Sequence, residues 1–198
     1  MSTQTLNRWG AVATIITAVL FASAAVALIV VPDGGLANPI APTLYYLGLI
    51  LTVPAYMTIY SAQSNSAGKL GFAGFVMSVV GSIMYSGPIF VLLAGTSGVA
   101  TWHDLWGFAM GNALPLGASI FLIGSTMLGV ASLRARVFPR NAGLLLAIGS
   151  FLWLIVFYIP IPFVLSLANL LNATALAWMG LALLPREQVR VAQTRQTA

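Results

Sequence analysis

Six apolar stretches, separated by short polar gaps, dominate the chain at about 9–31, 42–62, 70–94, 105–133, 141–160 and 163–184. Each is long enough to cross a ~30 Å hydrocarbon core, which takes roughly 20 helical residues. The last two are separated only by Pro160-Ile161-Pro162, which cannot continue a regular helix and fits a tight turn between antiparallel spans. The pattern predicts an all-α, polytopic membrane bundle of six transmembrane helices over 1–185, followed by a polar, basic tail over 186–198. Pro115, inside the long fourth run, is expected to bend that span or let it tilt.

The first run contains Ala25-Val26-Ala27, which resembles a small-residue cleavage site. Its apolar character continues to Val31, longer than a usual signal-peptide core, so it is read as a retained first span.

Charge then orients the spans. Every basic residue (Arg8, Lys69, Arg134, Arg136, Arg140, Arg186, Arg190 and Arg195) falls at a terminus or in the gaps near 62–70 and 134–140. With six crossings, all of these share one side. The opposite gaps carry only Asp33, His103 and Asp104 as titratable groups. Excess Lys and Arg mark cytoplasmic segments, which predicts both termini in the cytoplasm and a place in the plasma (inner) membrane. Aromatics fall near the ends of spans, as interfacial belts do. Trp9, Tyr60 and Trp178 are assigned to the inner interface, and Tyr45, Tyr46, Trp102, Trp106 and Tyr158 to the outer; Trp153 lies deeper and is expected to pack between helices.

Composition agrees with the bilayer as solvent: the 198 residues are 60% hydrophobic and only 6% charged, against about 25% charged in soluble domains. The net charge of +5 would point to nucleic acid if the bases formed a patch on a soluble fold, but their dispersal between apolar runs marks orientation instead. With no cysteine, disulfides, thiolate metal sites and thiol nucleophiles are excluded. One histidine, two aspartates and one glutamate leave little for any other catalytic or metal site.

The odd-numbered spans each open with a base followed by glycine: Arg8 and Gly10, Lys69 and Gly71, Arg140 and Gly143. Seven residues on from these glycines lie Thr17, Ser78 and Ser150, and Pro54 lies as far beyond Gly10 as Pro115 beyond Gly71. That repetition predicts three helical hairpins in parallel orientation.

Three features are candidates for chemistry. His103, in Thr101-Trp102-His103-Asp104-Leu105-Trp106, could ligate a haem or chlorin; the plainer reading is a helix cap at Thr101 and Asp104 with interfacial anchors around it. Asn112, Asn169 and Asn172 are the strongest polar groups within the spans and are expected at similar depth. They fit either a neutral pocket near the outer leaflet or interhelical hydrogen bonds. Gly107 and Gly111 form a GxxxG pair, continued by Gly117, Gly124 and Gly129, as a surface for close helix packing. No Asp, Glu, Lys or Arg lies well inside a span, which weighs against proton relays and ion paths.

The opening Asn7-Arg8-Trp9-Gly10-Ala11, with the Ala/Ile/Val-rich span behind it, resembles uncharacterised six-helix bacterial integral membrane proteins of actinobacterial and Chloroflexota type. The resemblance brings no family chemistry with it. The leading expectation is a non-catalytic accessory or scaffold subunit of a larger membrane complex, with an energy-transducing assembly as its setting. Its partners would be the lipid bilayer and either other membrane subunits or further copies of itself. The alternatives are a small-solute or lipid carrier or channel built on the asparagines, and a haem- or chlorin-binding protein built on His103.

Overall fold

A computed structural model describes residues 3–30, 39–96, 107, 109–159 and 162–184. Nearly all of those residues are helical, apart from short turns such as 136–139, and there is no strand among them. They form five helical segments: Thr3–Val30, Ile40–Thr96, Leu114–Ala135, Arg140–Tyr158 and Pro162–Leu183, the third preceded by a π-helical turn at Ala109–Ala113. Each segment is long and apolar enough to cross a bilayer.

The sequence predicts six separate helices, and the difference lies in the second segment. The polar gap expected at 62–70 is helix throughout except for one residue, Gly68, whose backbone (φ 58°, ψ −163°) is not helical. As a straight rod the 57 residues of Ile40–Thr96 would extend about 85 Å at 1.5 Å per residue. Instead the chain doubles back at Gly68. Tyr60 stacks on Phe75 (4.8 Å between centroids), the Ser82 hydroxyl donates to the Leu49 carbonyl (2.7 Å), and Tyr46 meets Phe90 (5.6 Å). Numbers fall along one arm as they rise along the other, which defines an antiparallel hairpin. The arms are here called α2 (40–67) and α3 (69–96); α1 is Thr3–Val30, α4 Leu114–Ala135, α5 Arg140–Tyr158 and α6 Pro162–Leu183.

Pro115 also differs from expectation. It occupies the first turn of α4, with the π-helical turn ahead of it. A proline lacks the N–H that a mid-helix position would require, but in the first turn that donor has no intrahelical acceptor. Pro54 and Pro88 do lie inside their helices. At the other end of α4, Arg136 adopts the left-handed conformation (φ 55°) and its N–H returns to the Ser132 carbonyl (3.2 Å).

The helices form a closed ring in which each packs on its neighbours in sequence and α1 meets α6. Glycines set the closest approaches. A Cβ on Gly81 would lie 2.2 Å from the Phe121 nitrogen, and one on Gly124 would lie 2.4 Å from the Ser78 nitrogen, so α3 and α4 touch backbone to backbone. Gly74 and Gly117 continue the seam against Leu128 and Tyr85. Elsewhere Gly10 abuts Thr58, Gly129 abuts Ala147, Gly149 abuts Asn172 and Gly180 abuts Ile15. Small residues permit this in lipid, where helix association relies on van der Waals contact rather than on exclusion of water.

The antiparallel pairing gathers Arg8, the Gly68-Lys69 tip and the Arg136-Val137-Phe138-Pro139 turn at one end of the ring. Arg8, Lys69, Arg134, Arg136 and Arg140 are all exposed there.

Candidate functional site

The inward face of α2 reads Tyr45, Leu49, Thr52, Tyr56, Ile59 and Gln63, all buried at 6% exposure or less. The alternating steps of four and three residues hold one stripe of the helix toward the ring axis. Four of the six (Tyr45, Thr52, Tyr56 and Gln63) carry polar groups, and they define the candidate site.

At mid-height, Tyr56 donates to the Ser125 hydroxyl (3.1 Å), and Ser78 lies 3.5 Å from Ser125. Ser78 and Ser125 give their hydrogens to carbonyls of their own helices, at Gly74 (2.7 Å) and Phe121 (2.8 Å). Ser125 is therefore left as an acceptor for Tyr56, and the layer is satisfied without any charge. Thr17, Ser78 and Ser150, the positions singled out by the repeat, are all buried. Pro54 and Pro115 do not correspond in this way: one is inside its helix and the other in a first turn.

Above this layer the axis is filled by aromatic rings from different helices. Trp153 of α5 meets Phe21 of α1 edge-on (6.3 Å), Phe121 of α4 edge-on (6.4 Å) and Tyr45 of α2 at a tilt (5.8 Å). Phe21 also contacts Tyr45 (6.0 Å), and Phe121 contacts Tyr56 and Tyr85. These separations are those of packed aromatic pairs. Trp153 packs between helices as its depth predicts. Tyr45, by contrast, belongs to this core and not to the outer interface, because its side of α2 faces the axis.

The predicted asparagines separate. Asn169 and Asn172 lie on the buried side of α6, while Asn112 is exposed on the π-helical turn. Asn172 accepts a hydrogen bond from Ser150 (2.9 Å), joining α5 to α6. Asn169 gives one of its two amide hydrogens to the Leu165 carbonyl (3.0 Å), and its oxygen Oδ1 is buried without a partner. Tyr45 Oη is also buried and unpartnered, as are both Gln63 Oε1 and Nε2. Each such atom costs about 1–3 kcal/mol relative to one that is hydrogen-bonded.

Gly107 and Gly111 open away from their neighbours: a Cβ on either meets nothing within 4 Å. The expected glycine stripe of the fourth span thus divides, with Gly117 and Gly124 toward α3 and Gly129 toward α5. His103 and its flanking tryptophans lie outside the described residues, as does the tail 186–198.

Sequence reasoning missed Tyr45, Tyr56, Ser125 and Gln63 as interior polar groups. The 45-49-52-56-59-63 spacing could have found them, since polar side chains repeating at helical intervals inside an apolar run mark an inward face. The site's buried polar groups are hydroxyls and carboxamides. They can lock helices together or hold a neutral molecule by hydrogen bonding. No protein-family model, no curated protein and no solved structure matches the chain.

Proposed function

We propose that the chain is a six-span protein of the cytoplasmic membrane, with both termini in the cytoplasm, acting as a non-catalytic scaffold or accessory subunit of a larger membrane assembly. The observation that carries this reading is the closed, neutral interior. Aromatic rings fill the ring axis, the α3–α4 seam is packed backbone to backbone, and the described cations stand together at one end. Such a bundle holds its shape, which suits a part that positions others. The hairpin at Gly68 supports counting Ile40–Gly95 as two crossings, which brings all the described bases to a single face. That face would lie in the cytoplasm. Large exposed side chains around the ring, among them Ile83, Phe90, Phe151, Phe163 and Leu181, are the surface offered to lipid and to neighbouring subunits.

The test is native mass spectrometry of the particle extracted from its own membrane under mild detergent. Reproducible masses of further subunits, or of additional copies of this chain, are expected. A homogeneous monomer, also seen after cross-linking in intact membranes, would refute the scaffold role.

A further inference from the structure

Of the described cations, Lys69, Arg134, Arg136 and Arg140 come together on one side of the ring. Helix contacts place them there. A Cβ on Gly71 of α3 would lie 3.3 Å from the Ala131 Cβ of α4, and one on Gly143 of α5 would lie 3.1 Å from the Leu133 nitrogen of α4. Lys69 stands just before Gly71, Arg134 directly after Leu133, and Arg140 just before Gly143. Arg136 closes α4 as its C-cap. The four therefore lie within about one helical turn of those contacts, at the α3–α4–α5 corner. Arg8 stands apart on α1, whose neighbours are α2 at Gly10–Thr58 and α6 at Gly180–Ile15.

The corner is held firmly and its charge is not balanced. Phe138 is buried in the core. The Arg136 N–H returns to the Ser132 carbonyl (3.2 Å) and the Ala142 N–H to the Pro139 carbonyl (2.9 Å), so the turn from α4 to α5 is pinned to the bundle. All four bases are exposed, and no described residue is acidic. Like charges gathered within a Debye length of about 8 Å repel with little screening, and an anion among them relieves that repulsion.

Toward the membrane centre the same faces turn apolar. Phe72 and Val76 follow Lys69 along α3, and Leu144 and Ile148 follow Arg140 along α5, all exposed. Steps of three and four residues keep each base and its apolar followers on one face of the helix. A soluble anion would meet only the charges, whereas a molecule with an anionic head and long apolar chains meets both.

We propose that the α3–α4–α5 corner binds an anionic phospholipid, its phosphate seated among Lys69, Arg134, Arg136 and Arg140 and its acyl chains lying along Phe72, Val76, Leu144 and Ile148. The site serves a monomer as well as a subunit, so it does not rest on the scaffold reading. It does rest on the chain's place in a bilayer, and that placement would survive a failure of lipid selectivity.

The test places the full chain in nanodiscs of equimolar phosphatidylglycerol and phosphatidylcholine and counts the lipids it retains by native mass spectrometry. Each base near an anionic headgroup is worth about a fivefold change in binding, so phosphatidylglycerol should be retained over phosphatidylcholine by about tenfold or more. Equal retention of the two lipids would overturn the proposal. Excess inorganic phosphate should not displace the lipid, and displacement would overturn the lipid assignment in favour of a soluble anion. Lys69→Gln, Arg136→Gln and Arg140→Gln should each lower the preference about fivefold, while Arg8→Gln leaves it nearly unchanged. An equal loss in Arg8→Gln would mean general attraction to a charged membrane and no site at this corner. Should a glutamine variant fail to insert, the two-lipid comparison on the parent protein still decides.

Discussion

Gln63 is the least satisfied side chain among the described residues: 1% exposed, with neither end of its carboxamide hydrogen-bonded. An apolar residue of similar size removes the desolvation cost without opening a cavity. Gln63→Leu is therefore expected to stabilise the protein by about 1–2 kcal/mol, read as a higher melting temperature in detergent. A lower one would mean that Gln63 has a partner in the membrane. The glycines give a sharper contrast. Gly81→Ala would drive a methyl group onto the Phe121 backbone, which cannot move without parting α3 from α4. A loss of about 1–3 kcal/mol or more is expected. Gly111→Ala meets open space and should leave thermal stability nearly unchanged. Equal losses in the two variants would show that Gly111 also faces a packed partner. In sequence both glycines sit in small-residue stripes of the same appearance. What separates them is which side of each helix faces a neighbour, and a bilayer hides that, because lipid and protein interior are both apolar and the amphipathic signal of soluble helices is lost.

At the scale of the element, the hairpin tip is the place where pattern and fold part. Ser61, Gln63, Ser64, Asn65 and Ser66 read as a loop by polarity, yet all are helical. Polar residues end a membrane span, but they do not by themselves end a helix, and nothing in this run forbids helical dihedrals. Gly68 does end it. Its φ of 58° with ψ of −163° lies in a region open essentially to glycine alone. Nothing lies within 4 Å of a Cβ built there, so the constraint is backbone conformation and not space. Gly68→Ala should cost about 1–3 kcal/mol, seen as a lower melting temperature, with the α2–α3 pairing the first part to loosen on heating. If Gly68→Ala melts like the parent protein, the tip adopts ordinary dihedrals and the hairpin owes nothing to glycine. Pro115 carries the same lesson in reverse. A proline deep in an apolar run looks like a mid-span kink, but the run includes the π-helical turn, and the α-helix proper starts one residue before the proline.

At the scale of the molecule, the apolar runs and the segregation of bases were plain in the sequence because each depends only on what lipid excludes. The inward stripe of α2, the aromatic filling of the axis and the separation of Asn112 from Asn169 and Asn172 depend on helix rotation, which only packing decides. The crossing count sits between the two kinds of information, and it can be measured. If the residues of Ile40–Gly95 crossed the membrane once, Ser66 would lie within the bilayer and the turn bearing Arg136 and Val137 would face outward with three arginines. If they cross twice, the reading that the antiparallel contacts at Leu49–Ser82 and Tyr60–Phe75 favour, Ser66 and Val137 share one side of the membrane, the cytoplasmic one in the proposed topology. Ile159 then faces the opposite side. All three positions are exposed, and the chain has no native cysteine, so Ser66→Cys, Val137→Cys and Ile159→Cys each place a single thiol on the protein. A membrane-impermeant maleimide should label the first two in inverted vesicles and the third in right-side-out cells. Labelling of Val137→Cys from outside, with Ser66→Cys protected from both sides, would replace six crossings with five and remove the physical basis for a cytoplasmic arginine face.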